Sequence, residues 1–350
     1  MKVDYLIVGQ GLGGSVLTEH LINAGKQVKV IDDPAFSNSS KVAGGLYNPI
    51  TGRKMVKTWN CDPLFDYLTP FYKALEQKLG TSFFYEIPIY RPFYSTEEYN
   101  EWMGKSADSY YEKYIRDIYG EGRYGQHLHD EYGGILLNES GYLDTNKMVL
   151  EYRSFLKRNE LLVHDAFDYA QVHVTDGGVF YKGIEARKLV FSEGRLQSNN
   201  PYFNWLPKKP VKGELIWIKT NENIEVIYNR GVFLIPLNDG ICKVGATYDH
   251  EKLDELVTEK GQNELVRRLG KLIHFDYQVI DQKAGVRPAT IDRKPFIGRH
   301  PKHKNVIVFN GLGTKGVSLA PYYANQIVRY LESDAELDAE VNIKRFFSLF

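Results

Sequence analysis

The chain lacks several features that would assign it to particular classes of protein. Its 350 residues include only two cysteines, Cys61 and Cys242, and their positions fit neither a CxxC motif nor a metal site. We therefore predict no metal centre, and so few cysteines favour a reducing, cytoplasmic compartment. No apolar run is long enough to span a bilayer, so we expect no membrane association.

The sequence also has no excess of positive or negative charge. The 44 lysines and arginines balance the 44 acidic residues, and no block of like charge stands out. Because nucleic-acid-binding proteins usually carry a basic patch, we expect no nucleic-acid partner. The first apolar run begins within a few residues of the N-terminus, which leaves no room for a signal peptide.

The most specific pattern that is present lies in the first thirty-odd residues. Residues 5–8 are an apolar run short enough to be a buried strand, and they lead into the glycine-rich residues 9–14. A helical pattern follows over residues 16–22. A second strand-like run, residues 28–31, ends at Asp32. This order predicts a dinucleotide-binding βαβ unit.

Each glycine of the GxGxxG turn has a mechanical role in such a unit. Gly9 allows the tight turn, Gly11 lets the backbone approach a pyrophosphate, and Gly14 lets the helix and sheet pack closely. The N–H groups around Leu12, at the helix start, favour negative phosphates because the helix dipole lies behind them. Asp32 is placed to accept hydrogen bonds from an adenosine ribose.

Periodicity predicts the other elements, and Asp144 is predicted to cap one of the helices. The predicted helices cover residues 64–79, 96–102, 109–118, 147–157, 254–273 and 317–331. The predicted strands cover residues 82–89, 135–137, 161–167, 172–181, 189–191, 214–219, 225–228, 231–235, 241–246 and 306–309. Because the chain begins and ends with strand, glycine-rich turn and helix, we predict one nucleotide-binding lobe built from both termini and a second lobe inserted between them.

Four motifs, taken in order, resemble the family of D-amino-acid oxidase, glycine oxidase and sarcosine oxidase, which are FAD-dependent amine oxidases. They are residues 9–14, residues 40–49, the segment 285–298 that begins Gly-Val-Arg-Pro-Ala-Thr, and residues 311–321. The match spans nearly the whole chain, and only residues of about 60 to 135 are hard to place.

The resemblance implies an α/β fold with a Rossmann-like FAD-binding domain. An inserted α+β substrate domain, mostly an antiparallel sheet, would form the roof of the active site. We assign residues 1–60, 134–210 and 276–350 to the FAD-binding domain, and residues 61–133 and 211–275 to the substrate-binding domain.

The resemblance also implies FAD as the cofactor. No cysteine or histidine stands where some relatives attach the flavin covalently, so we predict non-covalent FAD. The predicted cofactor residues beyond the first turn are Ser40, Lys41, Ala43, Gly44, Gly194, Gly313, Thr314, Lys315 and Gly316.

The second glycine-rich turn, residues 311–316, favours FAD over a nicotinamide cofactor, which needs only one such turn. A helix N-terminus at this turn would place positive potential beside the pyrimidine end of the flavin and stabilise the anionic reduced ring. Lys315 would add to that potential, and the alternative is a solvated loop lysine.

Arg287 is the sharpest candidate for substrate binding. In the family, the arginine of this Gly-x-Arg-Pro motif holds the substrate carboxylate, and a planar guanidinium can grip a carboxylate through two parallel hydrogen bonds. The alternative is a structural arginine paired with a buried acid such as Asp292.

Phe233 departs from the family pattern, in which a tyrosine precedes the Ile-x-Pro-like segment. One hydroxyl contact to the carboxylate would then be missing. Tyr228, Tyr248, Arg53 or Lys54 are candidates to supply a polar group instead.

Lys243 resembles the lysine that sarcosine oxidases place near the flavin for the reaction with oxygen. A cation there would stabilise the negative charge that develops on oxygen. The alternative is an ordinary lysine on the wet face of a hairpin.

The resemblance implies oxidation of the C–N bond of a small amine or amino acid to an imine, with hydride transfer to flavin N5 and reoxidation by O₂ to H₂O₂. The expected partners are that small-molecule substrate and O₂, and the oligomeric state stays open. The alternatives are a dehydrogenase with another acceptor, an oxidase that trims a carboxymethyl group from a tRNA wobble uridine, a flavin-binding protein without turnover, and a nicotinamide dehydrogenase.

Overall fold

The structure is a computed structural model that describes residues 1–33, 35 and 39–350, without the side chains of residues 196–198. The sequence also predicts a polar loop over residues 34–40, and part of it lies outside the described residues. None of the described helices is both long and apolar enough to cross a membrane.

The helices and strands are numbered here in chain order. The helices are α1 (Leu12–Asn23), α2 (Cys61–Leu79), α3 (Thr96–Lys105), α4 (Ser109–Glu112), α5 (Thr145–Arg158), α6 (Glu259–Leu269) and α7 (Gly316–Ser333). The strands up to residue 191 are β1 (Lys2–Val8), β2 (Val28–Ile31), β3 (Leu46–Tyr47), β4 (Ile50–Thr51), β5 (Val56–Lys57), β6 (Phe84–Glu86), β7 (Ile89–Pro92), β8 (Ile115–Tyr119), β9 (Gly134–Leu137), β10 (Gly141–Leu143), β11 (Leu162–Val163), β12 (Val172–Thr175), β13 (Gly178–Tyr181) and β14 (Ile184–Phe191). The later strands are β15 (Val211–Lys219), β16 (Ile227–Arg230), β17 (Val232–Pro236), β18 (Ile241–Gly245), β19 (Gln278–Arg287), β20 (Phe296–Arg299) and β21 (Val306–Asn310).

The first large sheet has the order β11-β2-β1-β14-β13-β12, and β21 pairs with both β14 and β20. Strands β2, β1, β14 and β21 run parallel. Their carboxyl ends therefore meet at one edge of the sheet, where ligands bind in open α/β folds. The turns that follow β1, β14 and β21 all lie at this edge, so one sheet combines strands from both ends of the chain.

Helices α1, α7, α2 and α5 pack together beside this sheet. Helix α7 buries Tyr323, Ala324 and Ile327, and α1 buries Val16 and Leu17 in the same apolar cluster. Each fully buried aliphatic or aromatic side chain of this kind stabilises the fold by roughly 1.5–3 kcal/mol. The resulting layer holds the N-termini of α1 and α7 at the carboxyl edge of the sheet.

The second large sheet has the order β19-β15-β18-β17-β16-β7-β9-β8 and is antiparallel except for the β16–β7 pair. One face packs against α6, where Ile216, Leu234 and Leu265 share an apolar cluster. Because side chains alternate along a strand, the residues next to Ile216 and Leu234 point to the other face. That face looks onto the carboxyl edge of the first sheet.

Several local predictions are confirmed. The Asp144 side chain accepts a hydrogen bond from Lys147 N at 3.0 Å and caps α5. The turn between β17 and β18 contains Asp239 and Gly240, with φ angles of 58° and 67°. Two successive positive φ angles are the signature of the type I′ turn that closes tight hairpins.

Other local predictions are wrong because pairing overrides local pattern. The helix predicted over residues 109–118 stops at Glu112, and Ile115–Tyr119 forms the edge strand β8, which pairs with β9. The strand predicted over residues 82–89 is interrupted before Ile89. Pro88 stands in this interruption, and a proline has no N–H for a strand ladder.

Three further predicted elements differ in extent. The run 172–181 is a hairpin, β12 and β13, rather than one strand. Only Leu162–Val163 of the run 161–167 is extended, and it pairs in parallel with β2. The helix predicted over residues 254–273 covers only Glu259–Leu269.

The strand pairing also differs in places from the predicted domain segments. Strands β9 and β19 pair within the second sheet, although residues 134–210 and 276–350 were assigned to the FAD-binding domain. Helix α2 packs against α7, although residues 61–133 were assigned to the substrate-binding domain. The exact division into domains stays a prediction.

Candidate active site

A cavity of about 1510 Å³ lies between the carboxyl edge of the first sheet and the open face of the second. It exceeds the ~300–1,000 Å³ typical of sites for drug-sized ligands. The predicted site residues that line it are Gly9, Gly11, Leu12, Asp32, Ser40, Ala43, Gly44, Gly194, Phe233, Arg287, Gly313, Thr314, Lys315 and Gly316. The structure therefore brings together candidates from five separate parts of the chain, whereas Gly14, Lys41 and Lys243 do not line the cavity.

The first glycine-rich turn is packed too tightly for side chains. Gly9 has a φ of +100°, and a Cβ there would lie 2.4 Å from the Ser192 carbonyl oxygen. A Cβ on Gly14 would lie 1.9 Å from the Gly9 carbonyl oxygen. Leu12 N donates to Ser40 Oγ at 3.0 Å, so the Ser40 hydroxyl hydrogen remains available to a ligand. The turn leaves backbone, rather than side chains, facing the cavity.

The acid at the end of β2 is held in one orientation. Asp32 Oδ1 accepts a hydrogen bond from Gln10 N at 2.9 Å, and Oδ2 accepts one from Arg153 Nη1 at 2.5 Å. The same Arg153 Nη1 contacts Gln10 Oε1 at 3.0 Å. Sequence reasoning missed Gln10 and Arg153, because α5 carries no motif and its approach to β2 depends on packing. The fixed carboxylate suits the ribose role predicted for Asp32.

The second glycine-rich turn brings a helix start and a cation to the cavity. Gly311 and Gly313 have φ angles of 74° and 56°, and α7 begins directly after Lys315. Lys315 Nζ donates to Thr51 Oγ1 at 3.3 Å and to Thr58 Oγ1 at 3.2 Å. Burial lowers the pKa of Lys315. Lys315 is therefore a partly buried, fixed cation, and the alternative of a solvated loop lysine is wrong.

Arg287 lies at the end of β19 with its guanidinium flat against the backbone of Gly213. A Cβ on Gly213 would lie 2.1 Å from Arg287 Nη2, so only glycine leaves room. Arg287 Nη1 donates to the Thr247 carbonyl oxygen at 3.3 Å, and the guanidinium lies 4.8 Å from the centre of the Tyr248 ring. Burial lowers the pKa of Arg287, because the charged form loses water there.

No acid within the described part of the chain pairs with Arg287. The alternative partner, Asp292, instead accepts a hydrogen bond from Arg345 Nε at 2.9 Å. A buried charge without a partner is costly to a fold. Arg287 thus places a cation without a described acidic partner in the wall of the cavity.

The comparisons with known proteins agree with this geometry. Residues 4–330 match the family of FAD dependent oxidoreductases known as DAO. The chain belongs to this family. It is an FAD-dependent oxidoreductase, and the two glycine-rich turns, the fixed Asp32 and the cationic second turn fit that cofactor.

Curated relatives include the glycine oxidase of Bacillus subtilis, 26% identical over 54% of this chain and 54% of the relative. The glycine oxidase of Bacillus licheniformis is 33% identical, but over only 32% of this chain and 31% of the relative. The alignments thus span from about a third to about half of the length of these relatives. The tRNA 5-methylaminomethyl-2-thiouridine biosynthesis bifunctional protein MnmC of Legionella pneumophila is 23% identical over 85% of this chain and 45% of its own.

Solved structures agree on the fold. The glycine oxidase of Geobacillus kaustophilus matches with a TM-score of 0.80 and 16% identity, over 99% of this chain and 98% of that one. The iminodiacetate oxidase of Chelativorans sp. BNC1 matches with a TM-score of 0.79 and 20% identity, over 98% of both chains. The α/β fold predicted for a DAO family member is confirmed.

Phe233 occupies the position at which this DAO family member departs from the expected tyrosine. Its ring fills the space between two glycines. A Cβ on Gly44 would lie 2.5 Å from Phe233 Cζ, and one on Gly245 would lie 2.8 Å from it. The ring therefore packs between the second sheet, which forms the roof of the cavity, and the loop at residues 43–45. It offers no hydroxyl to the cavity.

The four candidates for a replacement polar group differ in whether they line the cavity. Tyr228 is buried and bonded through its hydroxyl to His127 Nδ1 at 2.9 Å, away from the cavity lining. Lys54 does not line the cavity either, whereas Tyr248 and Arg53 do. Of these two cavity residues, only Tyr248 is shown in contact with Arg287.

Lys243 is buried rather than exposed on the wet face of a hairpin, so that alternative is wrong. Its Nζ donates to the Ala43 carbonyl oxygen at 3.3 Å and lies 5.5 Å from the centre of the Trp217 ring. Burial lowers the pKa of Lys243, and no acid in the described ranges forms an ion pair with it. The ammonium thus stands behind the loop that carries Ala43 and Gly44.

Glu193 is a cavity residue that sequence reasoning missed. It follows β14, and its Oε1 and Oε2 accept hydrogen bonds from Tyr169 Oη at 2.5 Å and from Asn200 Nδ2 at 2.7 Å. Burial raises its pKa to about 7. The sequence offered only an apolar strand running into Gly194, a pattern that does not distinguish a cavity acid from a loop acid.

No group of three or more histidines, cysteines and acids suited to a metal ion occurs among the residues that the structure describes.

Proposed function

We propose that this DAO family member oxidises the C–N bond of an amino acid or an N-substituted amino acid whose carboxylate binds Arg287. The observation that supports this most is the partly buried guanidinium of Arg287, which has no acidic partner among the described residues and stands in the wall of the cavity that fits FAD. A bidentate carboxylate would satisfy that charge. Hydrogen bonds to charged groups contribute about 1.5–3 kcal/mol each, so two of them would orient a small molecule firmly.

The bound FAD supplies the hydride acceptor at N5. The proposed cofactor residues hold it: the turn at Gly9, Gly11, Leu12 and Gly14, with Asp32 fixed for the ribose. The other proposed cofactor residues lie on the loop between β2 and β3 and on the turns that follow β14 and β21. They are Ser40, Lys41, Ala43, Gly44, Gly194, Gly313, Thr314, Lys315 and Gly316. Of these, Gly14 and Lys41 would act by shaping the turn and the loop, because neither lines the cavity.

The residues around the substrate act mainly by position. Arg287 fixes the carboxylate, the Phe233 ring closes one side, and Leu215 gives the roof an apolar surface. A site that holds a substrate close to its hydride acceptor and excludes water gains most of its rate from proximity. No general base is required when the amine binds in its neutral form.

We further propose O₂ as the acceptor that reoxidises the enzyme. Lys243 is buried behind the loop of Ala43 and Gly44, and Lys315 is a partly buried cation in the cavity wall; neither has an acidic partner among the described residues. Positive charge fixed in a site of low dielectric constant would stabilise negative charge that develops on oxygen. Measurement of H₂O₂ during turnover separates an oxidase from a dehydrogenase with another acceptor.

The test begins with the visible spectrum of the purified protein. Glycine, sarcosine, proline and a mixture of D-amino acids are then added without oxygen. Bleaching of the flavin bands by one of them supports the reaction class and names the substrate type. A flavin spectrum that none of these, and no larger N-substituted glycine, changes would contradict the proposed function.

A second candidate substrate follows from the alignment with MnmC over most of this chain. A carboxymethylamino group on a modified uridine is also an N-substituted glycine, and its carboxylate would use the same Arg287. The neutral overall charge disfavours a tRNA partner. A carboxymethylaminomethyl nucleoside that bleaches the flavin faster than sarcosine would favour this candidate.

A further inference from the structure

A second set of polar residues lines the cavity at the side of the roof that is far from Arg287. The set consists of Asn229 on β16, Tyr94 after β7, and Arg53 in the turn between β4 and β5. This group is called the distal subsite below. None of these three residues is among the proposed cofactor residues or belongs to the carboxylate site at Arg287.

The strand register places Asn229 on the cavity face of the roof. Asn229 stands directly opposite Phe233 in the β16–β17 pair, and Phe233 stands opposite Gly245 in the next pair. Directly opposed residues share a face of a sheet. The Asn229 side chain therefore projects beside the Phe233 ring, and its amide has no hydrogen-bond partner among the residues that the structure describes.

Arg91 joins this part of the roof to the turn that carries Arg53. Strands β16 and β7 run in parallel with Tyr228 opposite Tyr90, so Arg91 follows next to Asn229. Its guanidinium donates to the carbonyl oxygens of Gly52 at 2.5 Å and Arg53 at 3.0 Å. The turn is thereby fixed beside the roof. The Arg53 side chain is exposed and pairs with no described acid.

Tyr94 completes the distal subsite. Its ring lies 5.4 Å from the Arg230 guanidinium, and its hydroxyl lies 3.8 Å from the position of a Cβ on Gly231. The hydroxyl has no hydrogen-bond partner within the described ranges and is free to donate. One amide, one hydroxyl and one guanidinium thus offer donors to the cavity.

The charges select an anion for this subsite. The acids that line the cavity are Asp32, Asp33, Asp165 and Glu193 at the edge of the first sheet, and Asp292, which is bonded to Arg345. None of the described acids that line the cavity belongs to the roof strands. A cationic group would be repelled by the Arg53 charge, whereas a carboxylate or phosphate would accept hydrogen bonds from both Arg53 and Asn229.

The separation of the two sites sets the length of the ligand. The Arg287 guanidinium lies over Gly213 in β15, and β16 is three strands away, which corresponds to roughly 14 Å between the strands. Glycine spans only about 3.6 Å. One molecule can contact both sites only if it is extended and carries its second polar group at the far end.

We propose that the substrate is an extended amino acid or N-substituted glycine with a second anionic group, whose α-carboxylate binds Arg287 and whose distal anion binds Arg53, Asn229 and Tyr94. This inference rests on the proposed function for the site at Arg287. It adds the distal subsite as the determinant of substrate size and charge.

The test measures binding to the FAD-loaded protein by calorimetry, so it does not depend on turnover. Aliphatic dicarboxylates of increasing length are compared with monocarboxylates of the same length, and ω-phosphonocarboxylates form a third series. Beyond a threshold length, the dianions should bind about tenfold or more tightly than the monocarboxylates, as one charge-assisted hydrogen bond implies. A preference within the dianions for carboxylate or phosphonate identifies the source of the anion.

Variants locate the effect. Arg53→Ala should reduce the preference for dianions about tenfold, and Asn229→Ala should reduce it by a smaller factor. Lys54→Ala is the matched control, because Lys54 is an exposed cation in the same turn that does not line the cavity, and it should keep the preference. Equal affinity for both series, or a preference that survives Arg53→Ala and Asn229→Ala together, would overturn the distal subsite. Failure of monocarboxylates to bind would instead overturn the site at Arg287.

Discussion

The two walls of the cavity bind by different means. At the carboxyl edge of the first sheet, three turns offer backbone and helix starts, and glycines make the surface. On the roof, side chains from separate strands make the surface, and glycines such as Gly213 serve only to make room for them. A backbone site can be recognised from consecutive residues, whereas a side-chain site depends on the pairing of distant strands.

The largest effect is expected from a substitution in the backbone wall, which is the surface formed by the three glycine-containing turns at the carboxyl edge of the first sheet. Gly14→Ala places a Cβ 1.9 Å from the Gly9 carbonyl oxygen, so α1 must move away from β1. We expect a loss of about 3 kcal/mol or more in the free energy of unfolding and loss of bound FAD. Thermal unfolding and flavin absorbance measure the two effects.

Gly104→Ala is the control for this change, since Gly104 is also a helical glycine but its Cβ would meet open space. It should raise the free energy of unfolding by about 0.5–1 kcal/mol. Full retention of FAD by Gly14→Ala would contradict the account of the backbone wall.

This difference explains how much of the molecule the sequence predicted. Gly9 to Asp32 and residues 311–316 are each contiguous, so their local pattern was enough to predict a nucleotide site. Arg153, Glu193 and Asn229 were missed, because each acts through a neighbour that is far away in the chain. Residues 109–118 show the same limit, since their helical pattern gave way to pairing with β9.

A second prediction concerns Lys243 in the roof and the rate at which the reduced enzyme reacts with oxygen. Lys243→Met removes the buried ammonium behind Ala43, and we expect the reduced enzyme to react with O₂ about 10²-fold more slowly. Anaerobic reduction by substrate should change far less. Stopped-flow absorbance measures both steps.

Lys283→Met serves as the control, because Lys283 also lies near the Trp217 ring, at 5.0 Å, but is exposed. It should react with O₂ at nearly the rate of the unaltered protein. Equal oxygen reactivity of the Lys243 and Lys283 variants would remove Lys243 from the proposed mechanism.

A smaller effect concerns Glu193 on the backbone wall. Its pKa is raised to about 7 by burial, so the folded protein binds a proton that the unfolded chain releases near its ordinary pKa. Stability from this group is present in full below the unfolded pKa and is lost as the pH rises through about 7. We expect a loss on the order of 2 kcal/mol, which screening by water in the open cavity limits.

Urea unfolding of the protein without FAD, at several pH values, measures this loss. Glu193→Gln should flatten the profile, whereas Glu336→Gln, on the exposed surface, should leave it unchanged. A profile that is as steep in Glu193→Gln as in the unaltered protein would assign the pH dependence to another group.

The measurement that tests the central claim most directly compares Arg287→Met with the unaltered protein. Calorimetric titration with a monocarboxylate, together with the flavin spectrum and thermal unfolding, gives three readings on one sample. The account predicts that FAD stays bound, that carboxylate affinity falls about 10²-fold or more, and that the unfolding temperature does not fall, because a partly buried charge without a described acidic partner is removed. Carboxylate binding that survives in Arg287→Met with FAD bound would contradict it.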